Sequence, residues 1–236
     1  MTSISLTPIG VLRSPFREKF GIPRQPGLAP HALSRLVLNE PYSRPECFDG
    51  IKGFSHLWLV FVFHGTAAQG WNPTVRPPRL GGNKRLGVFA TRSMFRPNPL
   101  GLSLVELVDV VEGPQGVELL LRGADLLDGT PVVDIKPYIA YVEAKPEAQA
   151  GFAPEAPALL QVSWTAQARH EAAALKVDAD LEALIGEVLA QDPRPAYAAG
   201  AHEAERRYGV WLAHVNVSFS IEGDTVQVLS LQERRE

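Results

Sequence analysis

A chain of 236 residues, 45% hydrophobic and 21% charged, is composed like an ordinary globular protein, which excludes wholesale disorder and leaves room for one large domain or two modest ones. The formal net charge of −3 excludes a uniformly basic nucleic-acid binder, yet residues 1–150 hold 16 Lys and Arg against 13 acids while residues 151–236 hold 7 against 13. Cys47 is the single cysteine, so neither an intrachain disulfide nor a cysteine-rich zinc site can form.

The stretch "MTSISLTPIGVLRSPF" lacks the basic start and unbroken apolar core of a secretory signal. The longest apolar run, Leu57–Phe63, is too short to span a bilayer. Both features point to a cytoplasmic protein. Strand patterns follow in "SLTPIGVLRS", "SRLVLN", "HLWLVFVFH", "RLGVFAT", "GLSLVELVDVV", "GVELLLRG" and "TPVVDIKPYIAYVEA", with Gly or Pro punctuating the gaps and no long amphipathic helix between them. An antiparallel, closed sheet is the expected solution. From Glu143 to Ala158 the chain turns to Ala, Pro and Glu without a period, which reads as a linker. Beyond it, "LLQVSW" reads as a strand, "TAQARHEAAAL" and "DADLEALIGEVLAQ" have helical spacing with Asp178 or Asp180 as a cap for the second, and "YGVWLAHVNVSFSIEGDTVQVLSL" reads as two strands around a turn at Gly223 and Asp224. The expected fold is mainly β: an antiparallel β-barrel domain over residues 1–145, a linker over 146–158 and a small α+β domain over 159–236.

No Asp or Glu occurs between Asp49 and Glu106, whereas Lys52, Arg76, Arg79, Lys84, Arg85, Arg92 and Arg96 do. In "WNPTVRPPRLGGNKRLG" the prolines fix φ and the glycines permit positive φ, so Arg76, Arg79, Lys84 and Arg85 project from a stiff platform suited to phosphates; a solvated hairpin loop is the plainer alternative. "SPFREKFGIPRQPGL" is a second stiffened loop, in which Arg24 and Gln25 present a guanidinium and an amide to a small polar ligand or simply cover a sheet edge. In "GADLLDGTPVVDIKPYI", Asp125 and Asp128 flank a Leu-Leu pair before a tight turn, and Asp134 and Lys136 alternate along the next strand. Such carboxylates either accept backbone N–H groups or bind a sugar hydroxyl or an ammonium group. Walker and dinucleotide glycine loops, "HExxH" and "GxSxG" are missing from the sequence, and His56 and His64 flank one strand too far apart to share a metal. No metal is expected.

The blocks "PIGVLRSPF", "KFGIPRQPGL", "GFSHLWLVFVFH", "VRPPRLGGNKRLGVFATRSMFRPNPLGLSLVEL" and "DLLDGTPVVDIKPY" closely resemble the TrmO family of tRNA methyltransferases, over nearly all of residues 6–140; "LAQDPRPAY" and "YGVWLAHVNVSF" resemble the bacterial members' C-terminal domain. The resemblance implies a homodimeric β-barrel enzyme, without a Rossmann sheet, that uses S-adenosylmethionine (SAM) to methylate N6 of threonylcarbamoyl-adenosine at position 37 in the tRNA anticodon stem-loop. It implies a cofactor site of Pro23, Arg24 and Gln25, of His64 and Gly65, of Arg92 and Leu102, and of the turn Asp125, Leu126, Leu127 and Asp128. Gly65 has only backbone to offer there. Arg96 and Asn98 on "RPNP" would face RNA, with Arg76, Arg79, Lys84, Arg85, Lys136 and Arg194 contacting it as well. Because the lone pair of the substrate nitrogen is conjugated, a proton acceptor should assist, and His64, Asp134, Tyr138 and Tyr197 are the candidates. In "DPRPAY", Arg194 and Tyr197 could engage phosphate and base, or the prolines could simply end a helix. The alternative function is a non-catalytic SAM-sensing or RNA-binding adaptor on the same barrel; a SAM methyltransferase of another polar small molecule is a third.

Overall fold

The structure is a computed structural model and describes residues 4–194 and 206–234. Among these, six strands close into a barrel: β1 (Gly10–Arg13), β2 (Leu33–Leu38), β3 (His56–Val62), β6 (Leu100–Gly113), β7 (Gly116–Arg122) and β8 (Thr130–Pro137). Around the barrel the order is β1-β2-β7-β6-β3-β8, and every neighbouring pair is antiparallel. Alternation along the strands sets the two faces: Leu57, Leu59 and Phe61 of β3 point inward to meet Leu12, Leu36, Val105, Leu119, Leu121 and Val132, while Trp58, Val60 and Val62 lie on the outside. Gly101 sits directly opposite Phe61, and a Cβ there would lie 2.2 Å from the phenyl ring; only glycine fits this close approach.

Between β3 and β6 runs a long excursion carrying a two-stranded ribbon, β4 (Thr74–Val75) with β5 (Leu86–Gly87). The apolar "RLGVFAT" therefore gives two strand residues and then a single 3₁₀ turn over Val88–Ala90, since only Val88 is buried and nothing pairs the rest. Likewise β8 ends at Pro137, which cannot donate a ladder hydrogen bond, and the chain turns into the short helix α1 (Ala140–Glu143) where a longer strand was expected.

The second unit is a four-stranded sheet in the order β10 (Tyr208–Leu212), β11 (Val215–Glu222), β12 (Thr225–Glu233), β9 (Gln161–Trp164), with β9 parallel to β12. Among the described residues two helices cover it: α2 (Ala166–Ala174), capped by the Thr165 hydroxyl on the Ala168 amide at 3.0 Å, and α3 (Ala179–Ala190), capped by Asp178 on the Leu181 amide at 2.8 Å. The expected turn at Gly223 and Asp224 is present, but the preceding apolar run contains a further tight turn at Ala213 and His214, so two expected strands are three.

The loop between β1 and β2 joins the units. Phe16, Ala29 and Ala32 are buried in the core of the second unit, together with Ile185, Val188, Leu212 and Phe219. Phe16 forms an isolated β-bridge with Leu212, the Ala213 amide donates to the Pro15 carbonyl at 2.8 Å, and the Trp211 amide donates to the Glu18 carboxylate at 3.1 Å. No helix among the described residues is long and apolar enough to cross a membrane.

Candidate functional site

Neighbouring barrel strands run in opposite directions, so successive connections alternate between the two ends. At one end, which we call the mouth, lie the β1–β2 loop (residues 14–32), the β3–β6 excursion (63–99) and the β7–β8 turn (123–129). These are the three loops that the sequence motifs single out. The opposite end carries residues 39–55, the β6–β7 turn and the exit from β8.

A run of polar contacts crosses the mouth and draws on all three loops. Ser103, fully buried on β6, donates its hydroxyl to Asp125 Oδ1 at 2.6 Å. Burial raises the pKa of Asp125 above the usual carboxylate value, outweighing the Ser103 hydrogen bond, a backbone hydrogen bond and the charge of Arg92, each of which pulls it down. Arg92 in turn donates through Nη1 to the side-chain oxygen of Gln25. Arg92 makes no ion pair with Asp125 and acts on this dry carboxyl through its charge alone. A guanidinium donor and a carboxyl acceptor are what an amino acid's carboxylate and ammonium respectively ask for.

Beside this run, Lys19 Nζ donates to the Gly65 carbonyl at 2.7 Å, and a Cβ on Gly65 would approach Lys19 Cε to 3.1 Å and Leu127 Cδ2 to 3.5 Å. Gly65 therefore contributes backbone alone. His64 is exposed, two residues past the end of β3. Leu102 is 54% exposed on the outside of β6, opposite Val60.

The Asp125–Asp128 turn has two sides. Asp128 has partners of its own and ties the β1–β2 loop: its Oδ1 accepts the Ser14 amide at 2.9 Å and its Oδ2 pairs with Arg17 Nη1 at 2.6 Å. Leu126 is buried in the barrel core, and its carbonyl accepts the Ser14 hydroxyl at 2.7 Å. Pro23 is buried as well, which stiffens the approach to Arg24 and Gln25.

The proton-acceptor candidates are not brought together. Tyr138 lies at the far end of β3 from His64; its amide donates to the His56 carbonyl at 3.0 Å, and its ring meets His56 and Trp58 edge-on at 6.4 and 6.0 Å. Eight residues of extended chain span roughly 25 Å, so one bound base cannot touch both His64 and Tyr138 of the same chain. Asp134 sits between them on the outer face, opposite Val60, with Oδ1 accepting the Ile135 amide at 2.9 Å and Oδ2 3.6 Å from Lys136. Tyr197 lies outside the described residues.

Of the expected RNA contacts, Arg76, Lys84 and Asn98 are exposed on the excursion. Arg79 donates to the Glu155 carbonyl, and Arg85 to Thr74 Oγ1 at 3.5 Å. Arg96 donates to the carbonyls of Val88 and Thr91 at 3.3 and 2.8 Å and lies over the Phe89 ring, so its head staples the loop. Lys136 is at the end away from the mouth. Arg194 grips Asp192 through Nε and Nη2, both at 2.8 Å. Burial would raise the Asp192 pKa, but hydrogen bonds and charge from Arg194, with the charge of Arg24, hold it below the usual carboxylate value.

The last turns of α3 hold the β1–β2 loop from the other side. Glu187 accepts the His31 amide at 3.0 Å and pairs with its Nδ1 at 2.5 Å, Gln191 donates to the Leu28 carbonyl at 3.0 Å, and Arg24 Nη2 reaches the Asp192 carbonyl at 3.4 Å. Neither this clamp nor Lys19 is marked by any sequence pattern. Ser103 is marked, as the polar residue on the inward side of "GLSLVEL". Among the described residues no His, Cys, Asp and Glu grouping fits a metal.

Comparison with known proteins follows the same division of the chain. A family model of the tRNA-methyltransferase O N-terminal domain matches residues 11–144, and one of the TrmO C-terminal domain matches residues 157–234. The tRNA (adenine(37)-N6)-methyltransferase of Escherichia coli strain K12 is 51% identical over 99% of this chain and 100% of its own. A putative S-adenosylmethionine-dependent methyltransferase, RcsF, of Pseudomonas aeruginosa is 46% identical over 96% of this chain and 97% of its own. The crystal structure of TrmO from Pseudomonas aeruginosa superposes with a TM-score of 0.81 at 40% identity, covering 98% of this chain and 99% of the other.

Proposed function

This chain belongs to the tRNA-methyltransferase O family, and from that membership we propose that it is a SAM-dependent tRNA adenine-N6 methyltransferase whose substrate is threonylcarbamoyl-adenosine at position 37, beside the anticodon. The observation that carries the reading is the meeting of two contacts at the mouth, Arg92 with Gln25 and Ser103 with Asp125, which draw on all three mouth loops and bring a guanidinium's charge to bear on a carboxyl kept dry.

These residues fit the donor. Arg92 is suited to its carboxylate through the planar fork, and Asp125 offers an acceptor for its ammonium group. SAM supplies, when bound, a methyl group on a sulfonium for in-line displacement. The protein's task is then alignment: Pro23 and the buried turn at Leu126 fix the two loops that carry Gln25 and Asp125, so the donor and the adenine amine meet with little freedom left to lose. The amine must shed a proton as it is methylated. His64, exposed at the mouth, is the candidate whose position suits that role, while Tyr138 and Asp134 of the same chain lie away from the mouth. An apolar outer row of Trp58, Val60 and the half-exposed Leu102 supports a homodimer, and a tRNA substrate supports a cytoplasmic enzyme.

The test is nucleoside mass spectrometry of anticodon loops, together with S-adenosylhomocysteine release by purified protein. Wild type is expected to release S-adenosylhomocysteine in proportion to methylated RNA. Arg92→Ala is expected to weaken SAM binding at least tenfold and to abolish the mark in cells lacking the native protein. SAM bound with no mass change in the RNA would make the protein an adaptor.

A further inference from the structure

Where the start of the β1–β2 loop and the β7–β8 turn meet the second unit, a cavity of about 560 Å³ opens, lined by Arg13, Arg17, Arg35, Asp128, Leu33 and Ala213, among others. Three guanidiniums face a single lining carboxylate. Arg13 and Arg35 are direct cross-strand partners on β1 and β2, a register in which like charges repel. Arg17 and Arg35 each use one nitrogen, Nη1, on a carboxylate: Arg17 on Asp128 at 2.6 Å, and Arg35 on the nearly buried Glu118, also at 2.6 Å. Arg13 is exposed, and among the described residues its guanidinium has neither an ion pair nor a hydrogen bond. Across the cavity, Ala213 marks the edge of the second unit, so a ligand here would touch both parts of the protein at once.

We propose that this cavity is a phosphate-binding pocket, occupied by a backbone phosphate of the tRNA substrate. Planar guanidiniums present paired N–H donors to phosphate oxygens, and an anion between Arg13 and Arg35 turns their repulsion into shared attraction. A dianion would meet the Asp128 carboxylate, whereas a phosphodiester carries one charge and suits the small positive excess left after Asp128 and Glu118 are counted. Asp128 belongs to the same turn as Asp125, so the pocket and the donor site share that turn. The occupant rests on the tRNA reading above; the pocket's chemistry does not.

The experiment measures binding of an unmodified tRNA transcript to the full-length protein over a range of salt, for wild type, Arg13→Ala and Arg13→Glu, alongside line broadening of inorganic phosphate by ³¹P NMR and SAM affinity as a control of folding. Arg13 has no internal partner to orphan, so SAM affinity is expected to stay at its wild-type value. The expected result is a loss of tRNA affinity of about threefold to tenfold for Arg13→Ala and more for Arg13→Glu, with the log–log salt slope reduced by about 1. Wild-type tRNA affinity and slope in both variants would overturn the proposal. If Arg13→Glu removed only the phosphate broadening, tRNA would be overturned as the occupant in favour of a free phosphate compound. Because the readout is binding, it separates from the methyl-transfer reading: loss of tRNA affinity in Arg13→Glu with no methylation by wild type would keep the pocket and sink the enzyme.

Discussion

Asp125 holds a proton longer folded than unfolded, because burial penalises its charged form more than Ser103 and Arg92 favour it. A raised folded-state pKa means that the folded chain binds more protons than the unfolded chain in the interval between the two values. The group's contribution to stability is therefore fully present below the unfolded pKa and declines as pH rises through the folded one. Asp125→Asn removes the charge and keeps an oxygen for the Ser103 hydroxyl. At neutral pH the variant is expected to melt above wild type while binding SAM at least tenfold more weakly, a trade of stability for function. Thermal melts from pH 4 to 8 check the first part and calorimetric titration the second; a lower melting temperature at neutral pH would contradict it. Asp125 was legible in the sequence because a carboxylate in a tight turn must find a donor or a ligand; Ser103 was not singled out, although a hydroxyl on the inward face of an apolar strand must find an acceptor. Lys19 was not legible: one lysine in a charged loop carries no pattern, and its role is set by the Gly65 carbonyl across the mouth.

At the scale of elements, α3 faces two ways. Leu184, Ile185, Val188 and Leu189 bury one side in the second core, while Glu187 and Gln191, four residues apart and so on one face, reach the 28–31 segment of the β1–β2 loop. The loop that carries Arg24 and Gln25 is thereby held by a helix more than 150 residues further along the chain. Gln191→Ala removes the donor to the Leu28 carbonyl, an interaction worth about 1 kcal/mol. The expected outcome is a KM for SAM raised about threefold to tenfold, with kcat at saturating SAM within about twofold of wild type. An unchanged KM in steady-state kinetics would show that the clamp does not position the loop. Helix α3 itself was legible from its period and its Asp178 cap, and the barrel strands from alternation between Gly and Pro breaks. The clamp was not, since it is made only when two distant segments meet. Nor was the Ala213–His214 turn: Ala213 takes a left-handed φ of 49° with no Gly or Asn to announce it, held by the ladder on either side and by the hydrogen bond its amide donates to the Pro15 carbonyl.

Across the whole molecule, the two cores are joined by one segment, since Phe16, fully buried, belongs by sequence to the barrel's first connection and by packing to the second unit. The segment's backbone is fixed on both sides: the Asp128 amide donates to the Phe16 carbonyl at 2.8 Å from the barrel turn, and the Ala213 amide donates to Pro15 from the second sheet. Neither unit can open fully at this point without breaking contacts of the other, so they should lose structure together and not as independent domains. Phe16→Ala leaves a cavity in the second core and is expected to destabilise the protein by about 3–5 kcal/mol. Amide hydrogen exchange read by mass spectrometry separates the possibilities. Loss of protection in barrel peptides spanning β3 and β8, as well as in α3 and β11, is the expected pattern. If protection fell only in α3 and β11, the barrel would hold its own mouth, and the connection would be a tether and not a shared piece of core.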